Sequence, residues 1–171
     1  MSTNQCPRNL QSFSRRRYLE LSSRIIDFLT ADQIDSLWAA DPKKDPKAPL
    51  GSLITTVAGD RVRKLVQNAL SSGAEINGGK FEIIGAIAQP LVLTNVKKEM
   101  DIYYQESFGP VVSLFEFKTN EEAIKLANDT EYGLVSSVYS ENIVEALAVA
   151  RKIRSGSCHI NGPTVHGECH L

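Results

Sequence analysis

The fold is decided by residues 105–117, which read Gln105-Glu106-Ser107-Phe108-Gly109-Pro110 and then Val111-Val112-Ser113-Leu114-Phe115-Glu116-Phe117. The second half is the most apolar, β-branched and aromatic segment of the chain, which is typical of a strand buried on both faces in a parallel sheet. Pro110 suits the first residue of such a strand, because the ladder does not yet need the N–H group that proline lacks. Gly109 allows a sharp turn or a close approach just before it. We therefore expect a central strand at 111–117, entered by a loop that carries the carboxylate of Glu106.

Two segments before this strand have clear patterns. From residue 57 an apolar face recurs at helical spacing, and its members are Ala58, Val62, Leu65, Val66 and Ala69. Gly73 is expected to end this helix as its C-terminal cap. Asn77-Gly78-Gly79-Lys80 predicts a glycine turn, and apolar residues on either side of Gln89-Pro90 predict two short strands.

After the central strand the signals alternate between helix and strand. Thr119 and Glu122 form a capping box that starts one helix, which Gly133 is expected to end. Ser140 is expected to cap the next helix and Gly156 to end it. The predicted buried residues are Ala123, Ile124 and Ala127 in the first helix, and Ile143, Ala146, Leu147, Ala150 and Ile153 in the second. The strands that follow would cover residues 134–139 and 157–161. This β-α-β-α-β order predicts an α/β fold with a layered, mostly parallel sheet and flanking helices.

The composition excludes several classes of partner. The chain has 171 residues, 42% hydrophobic and 23% charged, with a net charge of −1. These values are ordinary for a globular protein and give no electrostatic reason to expect nucleic acid or a membrane surface as a partner. No apolar run approaches the ~20 residues of a membrane-spanning helix. Three cysteines without a framework of spacings favour a reducing compartment, so we expect a cytoplasmic location.

The first 48 residues differ from the remainder. Four arginines lie before the first acidic residue, Glu20, which makes a mitochondrial location the alternative. Leu21, Ile25 and Phe28 then recur at helical spacing. Three prolines within residues 41–49 predict a loop or linker. We therefore divide the chain into a divergent helical segment with a proline-rich linker, 1–48, and a main portion, 49–171.

Three ordered motifs resemble those of the aldehyde dehydrogenase superfamily. Glu106-Ser107-Phe108-Gly109-Pro110-Val111 is similar to the family's E-x-F-G-P-V. Residues 122–134 look like its E-A-I-x-x-A-N-x-T-x-Y-G-L. Residues 156–166 include Ile160-Asn161-Gly162-Pro163-Thr164-Val165-His166 and resemble the G-x-x-x-I-N-G-P-T-V-H of members that act on aromatic aldehydes. The resemblance implies that 49–171 is a portion of that family's catalytic domain.

The same resemblance implies roles for five residues. Glu106 would hydrogen-bond the nicotinamide-side ribose of NAD or NADP, and Phe108 would pack beside the nicotinamide. Asn161, Thr164 and His166 would line the substrate mouth. The implied reaction is the NAD(P)-dependent oxidation of an aromatic aldehyde to the carboxylic acid through a cysteine thiohemiacetal.

Cys6 is the candidate nucleophile. Its segment, Asn4-Gln5-Cys6-Pro7, lacks the glycine and the spacer of the family's G-Q-x-C. A nucleophilic thiol also needs a helix terminus or a cationic neighbour to activate it. Asn77-Gly78-Gly79-Lys80 lacks the glutamate of the family's E-L-G-G-K, which supplies the general base. We therefore expect the chain alone neither to oxidise aldehydes nor to bind NAD(P).

Cysteine and histidine side chains near the C-terminal end could be taken for a zinc site. They are Cys158, His159, His166, Cys169 and His170. Cys158 and His159 are neighbours on a predicted strand, so their side chains point to opposite faces. The remaining spacing matches no C-x-x-C or H-x-x-x-H pattern. No metal site is predicted.

Two functions stay open. One is an aldehyde dehydrogenase by descent, incomplete in this sequence at both ends. The other is a non-catalytic module that docks onto a full-length relative or another protein. A strand and helix stripes that lack apolar cover predict that the chain self-associates or binds a partner chain.

Overall fold

A computed structural model describes residues 34–164, which contain four helices and seven strands. The helices are α1 (Thr56–Ser71), α2 (Asp101–Tyr104), α3 (Asn120–Ala127) and α4 (Ile143–Ala150). The strands are β1 (Glu75–Gly79), β2 (Ile83–Ile84), β3 (Ile87–Ala88), β4 (Leu91–Thr94), β5 (Val111–Ser113), β6 (Val135–Val138) and β7 (Ser157–Ile160). Within this range they form three sheets, ordered β1-β4-β5, β2-β3 and β6-β7. The β4–β5 and β6–β7 pairs are parallel and the other two pairs are antiparallel, which confirms the predicted α/β class.

Helix α1 has the predicted boundaries and cap. The side chain of Thr55 accepts a hydrogen bond from the Ala58 N–H and starts the helix. Gly73, with φ of 98°, ends it, and two backbone bonds close the last turn. They run from the Gly73 N–H to the Leu70 carbonyl (3.1 Å) and from the Ala74 N–H to the Ala69 carbonyl (2.9 Å). The buried residues are Gly59, Val62, Leu65, Val66 and Ala69.

The main hydrophobic core lies between α1 and the β1-β4-β5 sheet. Val66 of α1 and Leu93 of β4 are fully buried, and Met100 closes the same cluster. Strand β4 is buried at three successive positions and lies between β1 and β5 in the sheet. A second, smaller cluster joins α4 to the β6-β7 sheet through Val138, Ala146 and Val149.

Strand β5 is shorter than predicted and does not occupy a central position among the described residues. It ends at Ser113, and within residues 34–164 it pairs with β4 alone. Its partner β4 ends at Thr94, where Asn95 with φ of 57° turns the chain away. The pairing with β4 therefore stops before the second half of 111–117, in which Glu116 forms a separate single bridge. The length of β5 depends on where β4 ends, and the apolar pattern of residues 111–117 contains no information about β4.

The predicted glycine turn at 77–80 is wrong, since Glu75–Gly79 forms β1. The pairing with β4 is irregular between Ile76 and Gly78, which leaves Asn77 in a bulge. Gly79 has φ of 79°, and a Cβ atom there would lie 2.0 Å from the Pro90 carbonyl oxygen. Glycine is needed here for a close approach of two strands, not for a turn.

Three predicted helix boundaries are wrong. Helix α3 ends at Ala127, well before Gly133, because the Asn128 side chain bonds the Lys152 carbonyl (2.8 Å) and the Arg154 N–H (2.7 Å). Helix α4 is capped by Asn142 and not by Ser140, and it ends at Ala150, well before Gly156. At the end of α3 and at the start of α4, an asparagine side chain with hydrogen-bond partners sets the boundary in place of the predicted glycine or serine.

The predicted buried stripe of α4 is partly wrong. Ala146 and Val149 are buried, whereas Ile143 and Leu147 are 53% and 44% exposed. The helix sequence is apolar at seven of its eight positions, so periodicity could not select a face. In α3, Ala123 and Ala127 are buried as predicted, and Ile124 packs against the smaller core.

Residues 41–49 form turns that lead back to the core. Ala39 and Leu50 form a bridge across this segment. The Gln89 side chain accepts from the Ala39 N–H (2.8 Å) and donates to the Ala39 carbonyl (3.0 Å), as a paired strand would. The division of the chain at residue 48 stays a prediction.

The first testable prediction compares two glycines with positive φ. Gly73→Ala should lower the free energy of unfolding by about 1 kcal/mol, because the space around it is open and only backbone strain opposes the methyl group. Gly79→Ala should lower it by about 3 kcal/mol or more, because strain is combined with a clash against backbone. Urea unfolding measures both. Equal effects would show that β1 and β4 do not approach as closely as described.

Candidate functional site

The candidate site is the loop 106–110, which connects α2 to β5. Phe108 has φ of 49°, a left-handed conformation that non-glycine residues rarely adopt. The Ser107 hydroxyl accepts a hydrogen bond from the Gly109 N–H at 3.3 Å. The Val111 N–H donates to the Gly109 carbonyl at 2.8 Å. The loop is therefore a tight turn that directs the Phe108 ring outward, and 71% of this residue is exposed.

The loop is held against α1 and β4 by contacts on both sides. A Cβ atom at Gly109 would lie 2.7 Å from Val62 Cγ2, so only glycine lets the loop lie this close to the helix. The Pro110 carbonyl accepts from the Leu91 N–H at 2.9 Å, which joins the loop to β4. Arg61 Nη1 donates to the Ser107 carbonyl at 3.0 Å.

The predicted pair Glu106 and Phe108 lies together on this loop. Glu106 is half-buried and Phe108 is exposed, two residues apart on a turn with an anchored backbone. A carboxylate accepts hydrogen bonds from sugar hydroxyls, and an exposed aromatic ring offers a face to a flat heterocycle. One ribose and one nicotinamide ring would fit this acceptor and this ring face, and other groups would be needed to hold the rest of a dinucleotide.

Of the residues predicted to line the substrate mouth, Asn161 and Thr164 follow the last strand of the other sheet. Asn161 follows β7 with φ of 52°, and its amide is engaged with Ser140. Its Oδ1 accepts from the Ser140 N–H (2.9 Å), and its Nδ2 donates to the Ser140 carbonyl (3.0 Å). Thr164 is half-buried at the end of the described range. Cys6 and His166 lie outside the described residues.

The second motif contributes structure. Asp129, within residues 122–134, accepts hydrogen bonds from Lys98 and from the Tyr103 hydroxyl, the latter at 2.9 Å. These bonds hold the pKa of Asp129 below its ordinary value. Burial and then the bond to Asp129 raise the pKa of Tyr103. The bond to Asp129 also raises the pKa of Lys98. This cluster ties α2, which precedes the candidate loop, to the segment after α3.

Sequence reasoning missed Arg61 and Tyr103. The helical pattern of α1 does not show that Arg61 contacts a loop distant in the sequence. Tyr103 packs edge-to-face against Tyr104 (4.6 Å between ring centroids) and Phe115 (5.6 Å). The aromatic character of Tyr103-Tyr104 was visible in the sequence, but its partner Asp129 lies in another element.

Residues 34–164 contain neither a cluster of metal-ligating side chains nor a membrane-spanning helix. In that range no group of three His, Cys, Asp or Glu side chains could hold a metal ion. The helices there are too short or too polar to cross a membrane.

The second prediction concerns pH. The folded pKa of Tyr103 is raised, so its contribution to stability is fully present below the unfolded value of about 10 and is lost as pH rises from there through the higher folded value. Tyr103→Phe should cost about 1 kcal/mol near neutral pH, and it should lose less stability than the wild type as the pH rises above about 10. Tyr132→Phe, at a half-exposed tyrosine, is the matched control. Parallel pH profiles for wild type and Tyr103→Phe would contradict the described bond.

Comparison with known proteins identifies the family. A profile described as the aldehyde dehydrogenase family matches residues 21–171. Vanillin dehydrogenase of Pseudomonas sp. (strain HR199 / DSM 7063) is 44% identical over 142 residues, which cover 82% of this chain and 29% of the relative. Salicylaldehyde dehydrogenase from Pseudomonas putida G7, solved in complex with salicylaldehyde, superposes with a TM-score of 0.77 at 34% identity over 82% of this chain and 29% of that one.

A third similar structure was solved with a cofactor. Betaine aldehyde dehydrogenase from Staphylococcus aureus, in complex with NAD+, gives a TM-score of 0.71 at 32% identity, with 80% of this chain and 28% of that chain covered. The chain thus spans less than one third of the length of each of these relatives. The profile match and the shared fold together show that the chain belongs to the aldehyde dehydrogenase family.

Proposed function

We propose that this chain forms the nicotinamide-ribose side of the cofactor site in an NAD(P)-dependent enzyme that oxidises an aromatic aldehyde to the carboxylic acid. The observation that supports this most is the geometry of loop 106–110. An exposed aromatic ring and a half-buried carboxylate lie two residues apart on a turn that α1 and β4 hold in place. Family membership supplies the reaction class.

Glu106 and Phe108 are the residues that would hold the cofactor. Glu106 would accept hydrogen bonds from the nicotinamide-side ribose, and Phe108 would lie beside the nicotinamide ring. NAD(P), when bound, supplies the hydride acceptor. The two cofactors differ by a phosphate on the adenosine-side ribose, so neither residue discriminates between them. The chain's own contribution is to orient the reactive end of the cofactor.

Aromatic aldehydes are the proposed substrates because the vanillin and salicylaldehyde dehydrogenases are among the similar proteins. Asn161, Thr164 and His166 would line the mouth through which the aldehyde enters. Since the Asn161 amide already bonds Ser140, we propose that Asn161 shapes the mouth through its left-handed backbone. Cys6 stays the candidate nucleophile, and a cytoplasmic location stays a prediction.

The third prediction tests this function with a chimera. Residues 49–164 replace the matching segment of the Pseudomonas vanillin dehydrogenase, which supplies the rest of an enzyme. The chimera should reduce NAD+ in the presence of vanillin, whereas the chain alone should show no turnover. In the chimera, Glu106→Gln should raise the KM for NAD+ roughly tenfold, because it removes the charge from one or two hydrogen bonds.

The control for this chimera is Glu121→Gln, which removes an equivalent charge from the exposed first turn of α3. Its KM for NAD+ should equal that of the parent chimera. A folded chimera without activity would contradict the proposal. Equal KM values for NAD+ in the Glu106→Gln and Glu121→Gln chimeras would also contradict it. Circular dichroism and gel filtration establish that each protein is folded.

A second candidate function, a docking module, is favoured by the outer face of α4. Ile143, Val144 and Leu147 are 53%, 73% and 44% exposed on one side of this helix. Exposed apolar patches of this kind mark interaction sites on soluble proteins. We propose that this face mediates self-association of the chain. Among residues 34–164, β6 and β7 pair only with each other.

The fourth prediction concerns this self-association. Light scattering coupled to gel filtration should give an average mass above that of one chain. Val144→Glu should shift the mass toward one chain, because loss of a buried valine at the interface weakens association by more than about tenfold. Ser52→Glu adds the same charge at an exposed site outside α4 and should leave the mass unchanged. A wild-type protein with the mass of one chain would contradict the proposed self-association.

A further inference from the structure

The exposed guanidinium of Arg61 on α1 contacts the candidate loop at two points. Its Nη1 donates to the Ser107 carbonyl at 3.0 Å, and its Cζ lies 5.8 Å from the centroid of the Phe108 ring. We propose that Arg61 is a positioning residue that fixes the left-handed conformation of Phe108 and so orients the Glu106–Phe108 pair. The purpose of that orientation rests on the function proposed above, whereas the positioning itself does not.

The two contacts act on opposite sides of the bond that needs to be held. The Ser107 carbonyl belongs to the peptide plane that precedes the Phe108 N–Cα bond, and the ring follows that bond. Holding both the plane and the ring restrains φ of Phe108, which is 49°, together with the side-chain angle χ1. A guanidinium suits this task, because its planar fork donates along its edge while its charge attracts an aromatic face. Within the loop, the bond from the Gly109 N–H to the Ser107 hydroxyl is 3.3 Å long, which is longer than the 3.0 Å bond from Arg61 to the Ser107 carbonyl.

The next residue along α1 provides a complementary contact. Val62 is buried, and it approaches Gly109 so closely that no Cβ would fit there. Val62 therefore sets the distance between helix and loop, but an apolar contact does not set a peptide orientation. That directional role falls to Arg61. The neighbouring Arg63 is engaged elsewhere, with Asp60 and the Ile83 carbonyl.

The test is made on the complete chain by nuclear magnetic resonance, without cofactor. Three variants are compared, namely Arg61→Gln, Arg61→Lys and Lys64→Gln, the last removing an exposed charge from the same helix. The readouts are the exchange rates of the Gly109 and Val111 amides and the strong intraresidue amide-to-Hα contact of a left-handed Phe108. Exchange at both amides should be roughly tenfold faster in Arg61→Gln, as expected for loss of one charge-assisted hydrogen bond.

Arg61→Lys should restore part of the protection, because it keeps the charge but loses the planar fork. Lys64→Gln should match the wild type, and the core amides of Leu65 and Val66 should exchange at the same rate in all four proteins. Unchanged loop exchange in Arg61→Gln would overturn the proposal. Faster exchange in loop and core together would also overturn it, since that result indicates general destabilisation of α1. The exchange experiment does not depend on the activity of the chimera. The positioning role of Arg61 and the proposed cofactor site can therefore be contradicted independently of each other.

Discussion

The close approach of the candidate loop to α1 is the constraint on which the rest of the structure depends. At Gly109 there is no room for even one methyl group beside Val62. Val62 belongs to the cluster that packs α1 onto β4, and the Leu91 N–H of β4 bonds the carbonyl of Pro110. The position of the loop is therefore set by the main core, and not by flexible connections at the surface. A site anchored in this way can hold a ligand group without reordering on binding.

Of the three family motifs, one presents an exposed side chain and the other two form hydrogen bonds that hold elements of the fold together. The first presents an exposed ring beside the anchored loop. The second uses Asn128 and Asp129 to join α3 to the α4–β7 connection and to α2. The third uses Asn161 to hold the segment before α4. Polar residues in a motif can thus stabilise the fold as much as they serve chemistry, and motif letters alone do not separate these roles.

Local signals predicted the local structure well. The apolar face of α1, the Gly73 cap and the Thr119 capping position are each set by residues within a few positions of one another. The errors fall where the deciding partner is distant in sequence. The length of β5 depends on where β4 ends, and the contact of Arg61 depends on a loop 46 residues away. For α4 the pattern was apolar nearly all round, so a face could be assigned only by the sheet beneath it.

The conformation and exposure of Phe108 are not explained by a contribution to the stability of the fold. In the described part of the chain, three non-glycine residues have positive φ, namely Asn95, Phe108 and Asn161. Asparagine tolerates this conformation because its side chain bonds nearby backbone, but phenylalanine has no such compensation. The ring of Phe108 also gains little from burial, since 71% of the residue is exposed. A residue that is both strained and exposed is expected where the ring serves a ligand. The backbone outlier thus supports, independently of the motif, a ligand-facing role for this loop.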